Sequence, residues 1–261
     1  MKKIIIFFAI VSFSACQKTV HLNLNTAPAA IVIQGEVTDQ PGPYTVSINK
    51  SVGFYADNTF PTVSGASIKI SDGVITDSLT ETSPGIYSTH TLQGRSGSTY
   101  TLTVALGDST YTASSTMPAA VPFDSITFDN SGTFRKGQIT AQANYQDPPN
   151  VKNYYQFILY IDGTQFTKDI FAFDDRLSDG KYITQNLRMD STYLVDGQQL
   201  RVDMYCIDVN VYNYFLTLGA VSDNGSGPQT ATPSNPLSNI SNGALGYFSA
   251  HTSEARTLIV R

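Results

Sequence analysis

Charge is scarce in this chain of 261 residues, because Asp, Glu, Lys and Arg together make up only 14% of it. The formal net charge is −5, and the basic residues nowhere form a run longer than two. Binding to nucleic acid therefore has no electrostatic support, since a phosphate-binding surface needs clustered positive charge.

Catalytic motifs and histidines are equally sparse. The chain contains no H-E-x-x-H, G-x-S-x-G, P-loop or G-x-G-x-x-G motif, which position the reactive groups of common enzyme classes. The three histidines are His21, His90 and His251. A Ser-His-Asp triad assembled in space is an alternative, but no spacing favours it. We predict that the protein is not an enzyme, that His21 is a linker residue, and that the other two histidines are surface or hydrogen-bonded residues.

Only two cysteines occur, and the first follows a leader-like segment. Lys2 and Lys3 precede an apolar run at residues 4–13, which suits a signal peptide and is too short to span a bilayer. Phe13-Ser14-Ala15-Cys16 then resembles a bacterial lipobox. We predict a lipoprotein signal peptide at residues 1–15, lipidation of Cys16, and a lipid-anchored tether at 16–30. The alternative is an ordinary signal peptide followed by a coincidental cysteine.

The second cysteine, Cys206, has no partner once Cys16 is acylated. It shares one face of a predicted strand with Val202 and Met204, so we expect a buried, inert thiol. The alternative is a reactive thiol or one that pairs between molecules.

Period-two alternation of apolar and polar residues is the main pattern in the chain after the predicted tether. Residues 65–104 contain several short alternating runs, separated by turns such as Asp72-Gly73 and Ser83-Pro84-Gly85. A Pro- and Ala-rich stretch at 117–122 separates this half from a second β-rich half. In that second half residues 209–220 show helical spacing, and a final strand is expected at 257–260. We predict an all-β protein with two β-sandwich domains, at 31–117 and 118–261, and one short helix in the second.

Eight segments carry a resemblance to known families. Those of the first half are "VIQGEVTDQPGPYTVSINKS", "VSGASIKISDG", "TETSPGIYST" and "GSTYTLTV", and those of the second half are "DPPNVKNYYQFILY", "FDDRLSDGKYI", "YNYFLTL" and "PSNPLSNISNGALGYFSA". The first half resembles a transthyretin-like, carboxypeptidase-regulatory-like β-sandwich, and nearly the whole mature chain resembles the DUF4249 family of Bacteroidetes envelope lipoproteins. This resemblance implies an outer-membrane lipoprotein, on the periplasmic or the surface face, encoded beside TonB-dependent receptors.

Aromatic residues of the second half are the candidate binding residues. Tyr154 and Tyr160 face away from Phe157, so both faces of their strand are aromatic. Such a strand is either buried on both sides or carries a stacking platform for a sugar, a peptide or a partner protein. The complete candidate set is Tyr154, Tyr160, Asn242, Gly243, Tyr247 and Phe248.

One acidic loop is a candidate cation site. Asp174, Asp175 and Asp179 could supply oxygen ligands to calcium, with Gly180 allowing a sharp turn. The alternative is a loop whose carboxylates cap backbone amides and pair with Arg176 or Lys181. No other cofactor is expected.

We expect a non-catalytic binding or accessory component that works with a TonB-dependent receptor in ligand capture or uptake. The first alternative is a cell-envelope hydrolase that acts on glycan or peptide. The second alternative is a structural or adhesion module of the envelope. A deep cleft holding two acids favours the enzyme, whereas a shallow aromatic patch favours binding.

The predicted anchor can be tested by replacing the acylated residue. We expect Cys16→Ala to move the protein from the detergent phase to the aqueous phase in Triton phase separation, because acyl chains supply the membrane affinity. A wild-type protein that already partitions into the aqueous phase contradicts the lipoprotein prediction.

Overall fold

The protein is almost entirely β-structure, which confirms the predicted fold class. The computed structural model describes residues 28–53, 56–57, 59–131, 138–189, 192–222 and 235–261. Cys16, His21 and the predicted signal peptide lie outside these residues. The helix predicted at 209–220 is confirmed as α1 (Val209–Ser222). The strands are β1 (Ile31–Thr38), β2 (Thr45–Lys50), β3 (Ser67–Ser71), β4 (Thr76–Ser78), β5 (Thr80–Ser83), β6 (Ile86–Ser88), β7 (Thr99–Leu106), β8 (Ser109–Thr116), β9 (Phe123–Asp129), β10 (Thr140–Gln146), β11 (Tyr154–Ile161), β12 (Thr164–Asp174), β13 (Tyr182–Leu187), β14 (Gln199–Cys206) and β15 (Leu245–Ile259).

Strand β7 shows why the first half of the chain forms sheets. Tyr100, Leu102 and Val104 are buried, whereas Thr99 and Thr101 are exposed. This period of two places the apolar side chains on one face, and the β-branched threonines suit the solvated face. The alternation in the sequence therefore predicts the strand and its buried face correctly.

The strands form three sheets. An eight-stranded sheet has the order β12-β11-β14-β15-β1-β2-β6-β5, a four-stranded sheet the order β4-β3-β7-β8, and a three-stranded sheet the order β13-β10-β9. Phe248 and Ala250 of β15 belong to the core beneath the four-stranded sheet. Two residues further on, Thr252 lies opposite Cys206, which belongs to the core beneath the three-stranded sheet. Both small sheets therefore pack side by side on the same face of the large one.

The described residues form two large hydrophobic cores, here called the first core and the second core, and one small cluster around Val211 of α1. The chain leaves the first core at Met117 and enters the second at Val121, within the Pro- and Ala-rich stretch. The predicted limits of 31–117 and 118–261 assign the whole C-terminal part of the chain to the second unit. The first core nevertheless also contains four residues from that part, namely Ile240, Ala244, Phe248 and Ala250.

Strand β15 is shared by the two halves of the molecule. Its first part pairs in parallel with β1, from Val32 opposite Leu245 to Thr38 opposite His251. Its second part pairs antiparallel with β14, where Cys206 lies opposite Thr252. Gly246 makes the parallel pairing possible, because its φ is +93° and a Cβ there would overlap the carbonyl oxygen of Ile33.

Near the start of β15, side chains rather than a second neighbouring strand form hydrogen bonds with its backbone N–H and C=O groups. The Asn239 amide accepts the Phe248 N–H at 2.9 Å and donates to the Phe248 carbonyl at 2.8 Å. The Ser115 hydroxyl of β8 accepts the Ala250 N–H at 2.8 Å. Buried backbone groups need such partners, so these side chains replace a neighbouring strand.

Helix α1 is tied to the same junction through its first residues. The Asp208 carboxylate accepts the N–H groups of Asn210 and Val211 at 2.8 and 3.0 Å, which is N-terminal capping. The Ser115 hydroxyl donates to the other carboxylate oxygen of Asp208. The start of the helix, strand β8 and strand β15 therefore meet at one serine.

Cys206 is a free thiol buried in the second core, which confirms its predicted place. Burial raises the pKa of this thiol. Because the thiolate is the nucleophilic form, the thiol is kept in its unreactive state.

Truncation of the Phe248 side chain tests whether the first core depends on β15. We expect Phe248→Ala to lower the free energy of unfolding by about 3–5 kcal/mol, because a fully buried aromatic ring leaves a cavity. Leu258→Ala is the control, since Leu258 lies on the same strand but is 43% exposed, and it should cost about 1 kcal/mol or less. Urea denaturation of both variants measures the difference, and equal losses would contradict the shared core.

Candidate functional site

The face of the eight-stranded sheet opposite the two cores carries polar and aromatic side chains, and we call it the outer face. Strand alternation places there every second residue of β11, β14, β15 and β1. The polar and aromatic residues of this face include Tyr154, Gln156, Tyr160, Arg201, Asp203, Tyr205, Tyr247, Ser249, His251, Gln34 and Glu36, and the apolar Val32, Ile158 and Leu245 share it. Helix α1 covers one part of this face, through packing against β12, β15 and β11.

Tyr247 joins the sheet to the helix. Its hydroxyl donates to the Glu36 carboxylate at 2.7 Å, across the parallel pair of strands. Its ring packs against Tyr214 and Phe215 of α1, with centroids 4.9 and 5.0 Å away. Burial and the neighbouring Glu36 charge raise the pKa of Tyr247, so the phenol remains a proton donor.

An arginine, an aspartate and a tyrosine form a second group on the outer face. The Arg201 guanidinium donates to both carboxylate oxygens of Asp203, at 2.7 and 2.9 Å. Its Cζ also lies 5.1 Å from the ring centroid of Tyr160, on the neighbouring strand. The Arg201 side chain is 52% exposed, whereas that of Asp203 is 4% exposed. The buried carboxylate therefore fixes a guanidinium that faces solvent beside an aromatic ring.

His251 belongs to the outer face, but its side chain is buried there. Its ring stacks on Tyr205 with centroids 4.4 Å apart, and its Nδ1 lies 3.0 Å from the Ser249 hydroxyl. Ser249 and His251 are each only 2% exposed. A nucleophile must be reached by its substrate, and neither side chain of this Ser–His contact is open to solvent. The exposed His90 instead contacts the Thr80 hydroxyl at 2.8 Å, which agrees with the predicted hydrogen-bonded role.

Three of the six candidate binding residues lie on the outer face. Tyr160 stacks under Arg201, and Tyr247 lies beside Glu36. Tyr154 packs on Tyr212 of α1, with centroids 5.0 Å apart. The sequence also places Arg201, Asp203 and Tyr205 on one strand face, but not beside the tyrosines, because alternation does not identify the neighbouring strand.

The other three candidates lie elsewhere. Phe248 is 0% exposed and packs in the first core, so its ring offers no surface to a partner. Asn242 and Gly243 both have positive φ, at 57° and 72°, and form the tight turn between Ser241 and Ala244. Their residue types are explained by this backbone conformation.

The acidic loop is divided between two environments. Asp174 pairs with Arg176 at 2.7 Å and accepts the Tyr212 hydroxyl at 2.9 Å. Burial opposes its charge, but hydrogen bonds from Arg176 and Tyr212 lower the pKa of Asp174 overall. Asp175 and Asp179 instead approach Asp147, and one carboxylate oxygen of each residue lies within 4.8 Å of the other two. The sequence did not identify Asp147, because the Asp-Pro-Pro segment is explained by a turn alone.

The burial of His251 predicts a pH dependence of stability. Burial lowers the pKa of His251, although the charges of Glu36 and Asp39 oppose this. Between the native pKa and about 6.5, the unfolded value, the unfolded chain binds the extra proton, so stability falls as pH falls below about 6.5. We expect the unfolding free energy of the wild type to drop more between about pH 7.5 and about pH 5 than that of His251→Gln, by at most about 1.4 kcal/mol per pH unit. His90→Gln should behave as the wild type does, and equal slopes for all three proteins would contradict a buried neutral imidazole.

Comparison with known proteins gives one result that covers most of the chain. A family model described as a domain of unknown function (DUF4249) matches residues 17–257. No curated protein matches the sequence. In the part of the chain that the structure describes, no helix is both long and apolar enough to cross a membrane. The match spans most of the sequence, so the chain belongs to the DUF4249 family, as its motifs predict.

Proposed function

We propose that this protein is a lipid-anchored component of the outer membrane that binds a TonB-dependent receptor and assists ligand capture or uptake without catalysing a reaction. The observation that carries the proposal is the Tyr160–Arg201 pair on the outer face, held by the buried Asp203. We infer that this pair and the tyrosines around it make contact with the receptor.

The chemistry of the outer face suits a protein contact. Tyrosine and arginine are the residue types most enriched among those that dominate binding energy. Arg201 and Tyr160 lie on adjacent strands, and the two hydrogen bonds to Asp203 restrict the guanidinium further. Little side-chain entropy is therefore lost when a partner packs against them.

The predicted anchor supports the same proposal. An acylated Cys16 would hold the protein in the membrane that also contains the receptor. Confinement of two partners to one membrane raises their effective concentration, so a small interface suffices for association. The lightly charged surface would favour stacking and hydrogen bonding over long-range attraction.

The hydrolase alternative has less support in the described residues. Ser249 and His251 are in contact, but both are closed off from solvent. The carboxylates of Asp147 and Asp175 are also buried and accept hydrogen bonds from Tyr155 and Asn153. A polymer substrate needs an open cleft that contains accessible acid and base groups.

Co-purification from native membranes tests the contact surface. We expect Tyr160→Ala combined with Arg201→Lys to reduce the TonB-dependent receptor captured after mild crosslinking by at least about tenfold. Each hot-spot residue contributes roughly 1–2 kcal/mol, and about 1.4 kcal/mol corresponds to a tenfold change in affinity. Lysine keeps a positive charge beside Asp203 but loses the planar, two-pronged contact. The control is Tyr182→Ala, because Tyr182 is 57% exposed and lies on β13 of the three-stranded sheet.

Receptor capture is normalised to the amount of anchored protein, and the Tm of each variant is measured to exclude unfolding. If no TonB-dependent receptor accompanies the wild type, the proposed partnership is wrong. Turnover of an envelope glycan or peptide by the purified protein would favour the hydrolase instead.

A further inference from the structure

We propose that Asp147, Asp175 and Asp179 bind a calcium ion, a site that does not depend on the proposed receptor contact. Asp147 directly follows β10, Asp175 directly follows β12, and Asp179 precedes β13. One carboxylate oxygen from each residue lies within 4.8 Å of the other two. Calcium–oxygen distances are about 2.4 Å, so oxygens on opposite sides of one ion are about 4.8 Å apart. The separation of the three carboxylates therefore meets the distance condition for binding one ion.

Two of these carboxylates are buried without a positive partner. Asp147 is 0% exposed and Asp175 is 5% exposed. The Asp147 carboxylate accepts the Tyr155 hydroxyl at 2.5 Å and the Gly180 N–H at 3.0 Å, and all of these donors are neutral. Lys181 is near in sequence, but its ammonium donates to the Leu177 carbonyl at 2.9 Å.

Among the described residues, no ion pair with Lys or Arg involves Asp147 or Asp175. Buried like charges at this separation repel one another, and their desolvation adds a further cost. A divalent cation offsets both costs.

An unsatisfied oxygen beside the carboxylates gives an independent indication of a ligand. The Oδ1 of Asn153 is buried and has no hydrogen-bond partner among the described residues, in a side chain that is 5% exposed. The Asn153 N–H donates to the Asp175 carboxylate at 2.7 Å, which places this residue next to the site. Asn153 directly precedes β11, and its carbonyl accepts the Asp175 N–H at 3.3 Å, so the pairing of β11 with β12 continues to this residue. Alternation then directs the Asn153 side chain to the side from which Tyr155 reaches Asp147. An amide oxygen without a donor in this position is a suitable calcium ligand.

The donor set selects the metal. Each group contributes oxygen only, and no His or Cys belongs to the cluster, which favours a hard cation over zinc or copper. Calcium accepts six to eight oxygens in irregular geometry, whereas magnesium requires a near-ideal octahedron. Asp175 and the exposed Asp179 also line a cavity of about 460 Å³, which gives the ion and its water ligands a route from solvent.

The bound ion would connect two turns of the second half. One turn joins β10 to β11 and contains Asp147, and the other joins β12 to β13 and contains Asp175 and Asp179. The existing hydrogen bonds between these turns include one from the Asn150 N–H to Asp179 at 2.8 Å. Calcium adds stronger links at the same place, so its binding should stabilise the fold.

Thermal unfolding of the mature chain tests the site. We use Cys16→Ala protein in all samples, so that no detergent is needed, and remove metal with a chelator. Calcium at about 1 mM should raise the Tm by about 5 °C or more, because a ligand that binds only the native state stabilises it. Magnesium at the same concentration should produce a smaller shift, and calorimetry should detect calcium binding directly.

Matched substitutions identify the ligands. Asp175→Asn and Asp179→Asn should each abolish most of the calcium shift, and Asp179→Asn alters an exposed residue that leaves the buried part intact. Asp174→Asn is the control, because Asp174 pairs with Arg176 and should not affect calcium binding. Absence of calcium binding by calorimetry up to about 5 mM, beyond the weakest extracellular sites, overturns the proposal. An undiminished shift in both Asp175→Asn and Asp179→Asn also overturns it.

Discussion

The backbone of β15 carries the hydrogen bonds on which both halves of the molecule depend. Its first part completes the sheet over the first core by parallel pairing with β1, and its second part pairs antiparallel with β14 over the second core. Unpaired buried N–H and C=O groups cost free energy, so loss of this strand would unpair both halves at once. The Asn239 amide and the Ser115 hydroxyl occupy further backbone groups of the strand, and Ser115 extends the junction to the start of α1.

The same strand determines what the outer face presents. Successive side chains of a strand point to opposite faces, so burial of Phe248 and Ala250 in the first core directs Tyr247 to the outer face. Tyr247 then contacts Glu36 of β1 and the aromatic side of α1. On the other neighbour of β15, strand β14 presents Arg201 beside Tyr160. The packing of the cores therefore determines which side chains form the proposed contact surface.

Local patterns in the sequence predicted much of this fold and less of the sites. Alternation and Gly- or Pro-containing turns predicted the strands of the first half, and helical spacing predicted α1. Only residues 257–260 were predicted as a final strand, although β15 is much longer. The polar stretch from His251 to Glu254 does not look like part of a strand. It is one because pairing with distant strands overrides local β-propensity. Alternation predicted the face on which Tyr154 and Tyr160 lie, whereas Tyr247 was a candidate only as an aromatic residue. The sequence did not predict Asp147 as part of a site, since its proximity to Asp175 arises from pairing between segments that are distant in sequence.

Strand β15 pairs with strands of both sandwiches, so we expect the two to unfold as one cooperative unit. Hydrogen exchange followed by mass spectrometry, on soluble Cys16→Ala protein across a urea series, measures this directly. Amides of β7, in the first half, and of β10, in the second, should lose their protection at the same urea concentration. The reason is that β15 contributes Phe248 and Ala250 to the first core and pairs with β14, whose side chains line the second core. Loss of protection in two separate transitions, with one half still folded between them, would contradict the claim.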